Sequence, residues 1–119
     1  MNLAASIVTG VVALLHTWFL ILEMFLWKKP LGLKTFGMDA ARAETTAVLA
    51  ANQGLYNGFL VAGLVWALVH PDPAVGVQLA RFFLGCVIVA GLYGAYSVSP
   101  RIMIIQGVPA IIALALTFI

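Results

Sequence analysis

The stretch LAASIVTGVVALLHTWFLILEMFLW, Leu3 to Trp27, carries a single formal charge, that of Glu23. The hydrocarbon core of a bilayer is about 30 Å thick and takes about 20 consecutive apolar helical residues to cross. Leu3–Trp27 is long enough and apolar enough for that. It begins almost at Met1, has no basic leader and reaches Trp27 without a small-residue cleavage signal. It therefore reads as a retained span and not as a signal peptide.

The rest of the chain repeats the pattern. Of its 119 residues, 64% are hydrophobic and 8% charged, and the mean hydropathy is +1.12. A soluble domain is roughly 45–50% apolar and about 25% charged. The expected fold is all-α, an integral membrane four-helix bundle forming one domain over residues 1–119. Its spans are expected at about 3–27, 44–69, 74–98 and 101–119. Pro71, Pro73 and Pro100 punctuate the spans, because a proline pushes the residue before it out of helical geometry. Pro109, inside the fourth span, removes a backbone donor and predicts a bend there. The longest polar stretch, Lys28–Ala43, leaves little room for a soluble part. Within it, Pro30–Met38 mixes apolar and basic residues. A connecting loop is the preferred reading, and a short amphipathic stretch lying along the interface is the alternative. No internal repeat is evident, so an inverted-repeat transporter is not supported.

Charge sets an orientation. Lys28, Lys29, Lys34 and Arg42 occupy the first connection and Arg101 the third, whereas the second has only Arg81, several residues into the third span. By the positive-inside rule, the first and third connections are cytoplasmic and both termini lie outside. The net charge of +2 belongs to these connections. The partner the hydrophobic composition implies is the lipid bilayer, and the small charge makes no nucleic-acid surface. The lone Cys86 forms no intramolecular disulfide and suggests no thiolate metal site.

Polar residues inside the spans are the candidates for function, since an unpartnered polar group in hydrocarbon is costly. Thr9, His16 and Glu23 recur every seven residues and form one stripe on the first span, continued by Trp27. On the second span, Asn52 and Tyr56 are four apart, as are Gln53 and Asn57, making a polar strip. Gly54, Gly58 and Ala62 form a small-residue face on another side of the same helix, fit for close packing. At 1.5 Å per residue, Glu23, Asn52, Tyr56, Tyr93 and Gln106 fall in the cytoplasmic half, with His16 at the deep end of that cluster. Each has a plainer role open to it. Glu23 can pair with Lys28 or Arg101, or be protonated and hydrogen-bonded. His16 can donate to a neighbouring helix. Asn52, Gln53 and Asn57 can be interhelical glue. Tyr93 and Tyr96 suit interface anchors, and Glu44 suits a helix N-terminus. His70 and Asp72, in the outer turn, are too few to hold a metal.

Three functions compete. The first is a binding or transport module for a small molecule, metal ion or proton. Four spans are few for a path, so it would be a homodimer, with the Gly54 and Gly58 face either its contact or, equally, packed inside the monomer. The second is an intramembrane enzyme in which His16 and Glu23 act as base and acid, or as two metal ligands. A hydrolytic zinc site usually takes three protein ligands, which ranks this reading below the first. The third is a structural or accessory subunit whose amides lock the helices together. No cofactor is indicated by the residues.

The combination of His16, Glu23-Met24-Phe25-Leu26-Trp27, Phe36-Gly37 and Asn52-Gln53-Gly54-Leu55-Tyr56-Asn57-Gly58-Phe59 resembles the domain-of-unknown-function family numbered 1304 (DUF1304). The resemblance covers nearly the whole chain. It implies a short four-span bacterial inner-membrane protein and implies no activity.

Overall fold

In the computed structural model, which describes Met1–Ile119, every regular element is helical: α1 (Leu3–Met24), α2 (Pro30–Phe36), α3 (Ala40–Val69), α4 (Pro73–Ser97), α5 (Pro100–Ile102), a π turn (Met103–Gly107) and α6 (Val108–Leu116). The fold is all-α. Helices α1, α3 and α4 are each long and apolar enough to cross a membrane, and the last run, Pro100–Leu116, is a shorter apolar helix. Many large apolar side chains are exposed along them, among them Leu14, Val48, Phe82 and Val89. A surface of that kind is consistent with contact to lipid.

The differences from expectation are local and have local causes. Helix α3 starts at Ala40, ahead of the expected Glu44, because Asp39 Oδ1 accepts the backbone N–H of Arg42 at 2.7 Å. That bond satisfies an orphan donor of the first turn. Pro30–Phe36 is a helix and not the connecting loop preferred from sequence. Pro30 suits a first helical position. Gly37, at φ 62°, adopts the left-handed C-cap conformation and returns its N–H to the Leu33 carbonyl.

Contacts divide the chain into two units, Met1–Leu15 with Leu60–Ile119, and His16–Phe59. The core of the first unit is built from Val12, Leu64, Ala80, Leu84, Ala110 and Ala113, among others, all with no exposed surface. Small residues allow close approach: a methyl added to Gly91 would lie 3.2 Å from Gly107 Cα. The ends of this unit are fastened together. Asn2 Oδ1 accepts from the Ala5 N–H at 2.8 Å, at the start of α1, while its Nδ2 donates to the Leu116 carbonyl at 2.8 Å, at the end of α6. Arg81 reaches the same end. Its Nε donates to Thr117 Oγ1 at 3.1 Å, its Nη2 donates to the Thr117 carbonyl at 3.0 Å, and its guanidinium stands 3.8 Å from the centre of the Phe118 ring. In the turn between α3 and α4, His70 Nδ1 accepts the Asp72 N–H at 3.0 Å, and Asp72 Oδ1 accepts the Ala74 N–H at 3.0 Å. Both side chains are thus engaged in the turn and the cap of α4.

The irregularity expected at Pro109 takes the form of the π turn just before it. The Val108 N–H bonds to the carbonyl of Met103, five residues back. Widening the turn there relieves the press of the proline ring on the carbonyl four residues earlier, that of Ile105.

In the second unit, α2 folds back tightly. A methyl added to Gly32 would run into the Leu26 carbonyl and lie 2.7 Å from that of Trp27. The Trp27 ring packs on Phe36 with centroids 4.7 Å apart, and its Nε1 donates to Thr46 Oγ1 at 3.1 Å. Lys28 and Glu44 form an exposed ion pair at 3.4 Å. Lys28 therefore serves Glu44, and not Glu23 as one sequence reading had it.

Candidate functional site

The His16–Phe59 unit contains a close helix contact built on glycine. A methyl added to Gly54 would lie 2.6 Å from Met24 Cγ, 3.1 Å from Glu23 Cβ and 3.3 Å from the Leu20 carbonyl oxygen. One added to Gly58 would lie 3.0 Å from Leu20 Cδ1. With no side chain at either position, α1 and α3 approach closely enough for Asn57 to reach Glu23. Asn57 Nδ2 donates to Glu23 Oε1 at 2.5 Å. Glu23 is 7% exposed and Asn57 9%.

This contact regroups the second-span residues. Asn57 lies on the packing face with Gly54 and Gly58, since positions three and four apart share a helix face, and not on a separate polar side with Asn52, Gln53 and Tyr56. Those three are exposed. Neither amide of Asn52 and Gln53 has a hydrogen-bond partner within the chain. The Tyr56 ring meets Phe59 edge-on at 5.4 Å. The structure therefore brings together Glu23 and Asn57, and leaves Asn52, Gln53 and Tyr56 on the outer surface of α3. Ala62, assigned to the packing face, is exposed as well. Each step of four residues turns the face about 40° further round the helix, so the third small residue has rotated away. Gly63 has a close contact instead, against the ring of Phe83.

On α1, Thr9, His16 and Glu23 are all buried, as one stripe on one face. The His16 ring stands edge-on to Phe19 at 5.4 Å. Tyr93 and Gln106 belong to the other unit, where Tyr93 is exposed and Gln106 lies half-buried in the π turn. A shallow recess in that unit, lined by Met1, Ser6, Ala67, His70 and Gly76 among others, shares no residue with the Glu23 contact. For the metal candidates His16 and Glu23, no group of three or more His, Cys, Asp and Glu side chains gathers to complete a ligand set.

Chemically, the contact is a carboxyl with one oxygen held by a neutral amide donor. The amide adds no charge, so the pair carries whatever charge the carboxyl has. Oε1 is fixed and Oε2 is the oxygen left to hold or release a proton. Sequence reasoning missed the supports around this contact: Gly32 beneath the Leu26 and Trp27 carbonyls, Thr46 accepting from Trp27, and Asp39 capping α3. Asp39 was findable, as an acidic residue directly before a helical run. Gly32 and Thr46 carry no signal of their own in one sequence.

The residues that mark the chain most strongly, His16, Glu23–Trp27, Phe36-Gly37 and Asn52–Phe59, all fall in the His16–Phe59 unit. A family model described as "Protein of unknown function (DUF1304)" matches residues 10–118. The chain is also similar to "Uncharacterized protein YpaA" of Lactococcus lactis subsp. lactis (strain IL1403), at 30% identity over 120 residues covering 99% of each chain. No solved structure matches it. Matched by its family model over nearly its whole length, the chain belongs to the DUF1304 family of proteins of unknown function.

Proposed function

We propose that this chain is a small multi-pass membrane protein whose Glu23 carboxyl, held by Asn57, binds and releases a proton. The buried Asn57–Glu23 hydrogen bond carries the reading. A buried acid in the last turn of an apolar spanning helix is a candidate functional site, because a carboxyl is costly to keep away from water. Of the small molecule, metal ion or proton considered from sequence, the proton is the ligand best supported. Gly54 packs against Glu23 Cβ and Met24, and a proton needs no cavity. A metal would have to displace Asn57 and recruit further donors. A second reading, the amide as helix-packing glue, is favoured by the same bond being closed within one chain.

The two separate in infrared spectra of the reconstituted full-length protein recorded across pH. A carboxylic C=O band should titrate in the wild type, vanish in Glu23→Gln and shift in Asn57→Leu. If the wild-type minus Glu23→Gln difference stays flat from acid to alkaline buffer in folded protein, the proton reading falls and the packing reading stands.

The chain sits in the bacterial inner membrane as a single domain of four spans, with Pro100–Leu116 as the fourth. The basic residues Lys28, Lys29, Lys34, Arg42 and Arg101 face the cytoplasm, and both termini face out. The Asn2–Leu116 bond supports an even number of crossings, since it keeps the two ends of the chain together.

A further inference from the structure

The amides of Asn52 and Gln53 stand on the outer surface of α3 with no partner in the chain. Apolar exposed surface continues past them in both directions along the helix: Val48 and Leu49 toward its start, Leu55 and Phe59 toward its end. Lipid tails offer neither donor nor acceptor, so amides set within such a band are costly unless another protein surface meets them. Gly54 and Gly58, for which a dimer contact and packing within the monomer are equally open from sequence, are turned inward against Leu20, Glu23 and Met24. They are committed to the contact within the chain.

We infer that the face of α3 bearing Asn52, Gln53 and Tyr56 is a homodimer interface, covered by the same face of a second copy of this chain. Two features select that occupant. A carboxamide is donor and acceptor at once, so Asn52 or Gln53 placed near a twofold axis complements its own image. No charged residue lies between Glu44 and the end of α3 at Val69, so two copies of this face do not repel. The T-shaped Tyr56–Phe59 pair supplies aromatic bulk beside the amides, the kind of apolar surround that shields interhelical hydrogen bonds from lipid headgroups and water. The inference is independent of the proton reading, because none of its residues hydrogen-bonds Glu23.

The test uses the full chain in liposomes. Energy transfer between labelled copies should report a dimer whose fraction rises with the protein-to-lipid ratio. Asn52→Leu with Gln53→Leu should weaken association at least tenfold while circular dichroism stays helical. In a Cys86→Ala background, Val48→Cys, one turn from Asn52 on the same face, should cross-link under oxidation. Val89→Cys, exposed on α4, should not. A wild type that stays monomeric at every ratio overturns the proposal, and leaves the face to lipid, water or an unlike partner. So does a double variant that associates as tightly as wild type. If the double variant does not fold, cross-linking decides: no Val48→Cys dimer, or an equal Val89→Cys dimer, overturns it.

Discussion

Asn57 of α3 and Glu23 of α1, separated by 34 positions in the chain, are joined by a hydrogen bond of 2.5 Å. It is the tertiary bond on which both functional readings turn. Interhelical hydrogen bonds in membranes contribute roughly 0.6–2 kcal/mol. A buried acceptor stripped of its donor costs about 1–3 kcal/mol. Asn57→Leu should therefore lose about 1–2 kcal/mol, read as a lower thermal unfolding midpoint in detergent. Glu23→Gln keeps an acceptor oxygen for Asn57 and should lose less. Equal stability of Asn57→Leu and wild type would show that the bond has no net weight in the fold.

Gly54 and Gly58 should respond differently to alanine. At Gly54 the added methyl meets Glu23 Cβ and a backbone oxygen of Leu20, neither of which moves freely. At Gly58 it meets only the tip of the Leu20 side chain, which can rotate aside. Alanine also gains about 1 kcal/mol of helix propensity over glycine. Gly58→Ala should be neutral or stabilising, and Gly54→Ala destabilising. A reversed order in unfolding midpoints would contradict the packing described.

Gly32→Ala should dislodge α2. The methyl has nowhere to go, because the obstructing atoms are the carbonyl oxygens of Leu26 and Trp27. Gly37→Ala acts by another route, since a left-handed conformation costs a residue with a Cβ about 1–2 kcal/mol. Both should expose the segment around Lys34 to limited proteolysis. Protection as strong as in wild type would count against α2 being docked.

Arg81→Lys should loosen the end of α6. Arginine makes two hydrogen bonds to Thr117 and lies over Phe118. Lysine, a point charge on a flexible stem, does not reproduce that planar fork. Faster amide exchange over residues 113–119, with the rest unchanged, is the expected signature.

Reporter fusions at Met1 and Ile119 should both read out as external, and a fusion placed after Gly37 as cytoplasmic. Removing the positive charge of Lys28, Lys29, Lys34 and Arg42 together should weaken or invert that preference. Cytoplasmic readouts at both ends of the wild type would reverse the proposed orientation.

The helical class was legible because long apolar runs punctuated by proline have few alternatives. The Thr9, His16, Glu23 stripe was legible because a seven-residue spacing nearly matches two helical turns. The side taken by Asn57 was not. It sits midway round the helix between Gln53 and Gly54, so periodicity alone assigns it to either face. The close approach at the glycines decides. The helicity of Pro30–Phe36 was obscured because its support comes from outside the segment, from the Trp27 ring on Phe36 and from packing at Gly32. Asn52 and Gln53 were grouped with Asn57 by their helical spacing, and the geometry sets them on another surface.

Asn2 binds the first turn of α1 and the last carbonyl of α6 with one side chain. The polypeptide is in effect a nearly closed loop, broken at one point. A short linker from Ile119 back to Met1 would complete the circle, and a new break between Gly37 and Met38 would reopen it in an exposed turn. Circular permutants tolerate such cuts where the backbone is exposed and the old ends adjoin. On the proposed topology, a permuted chain of this kind would carry its tags to the cytoplasmic face of the membrane.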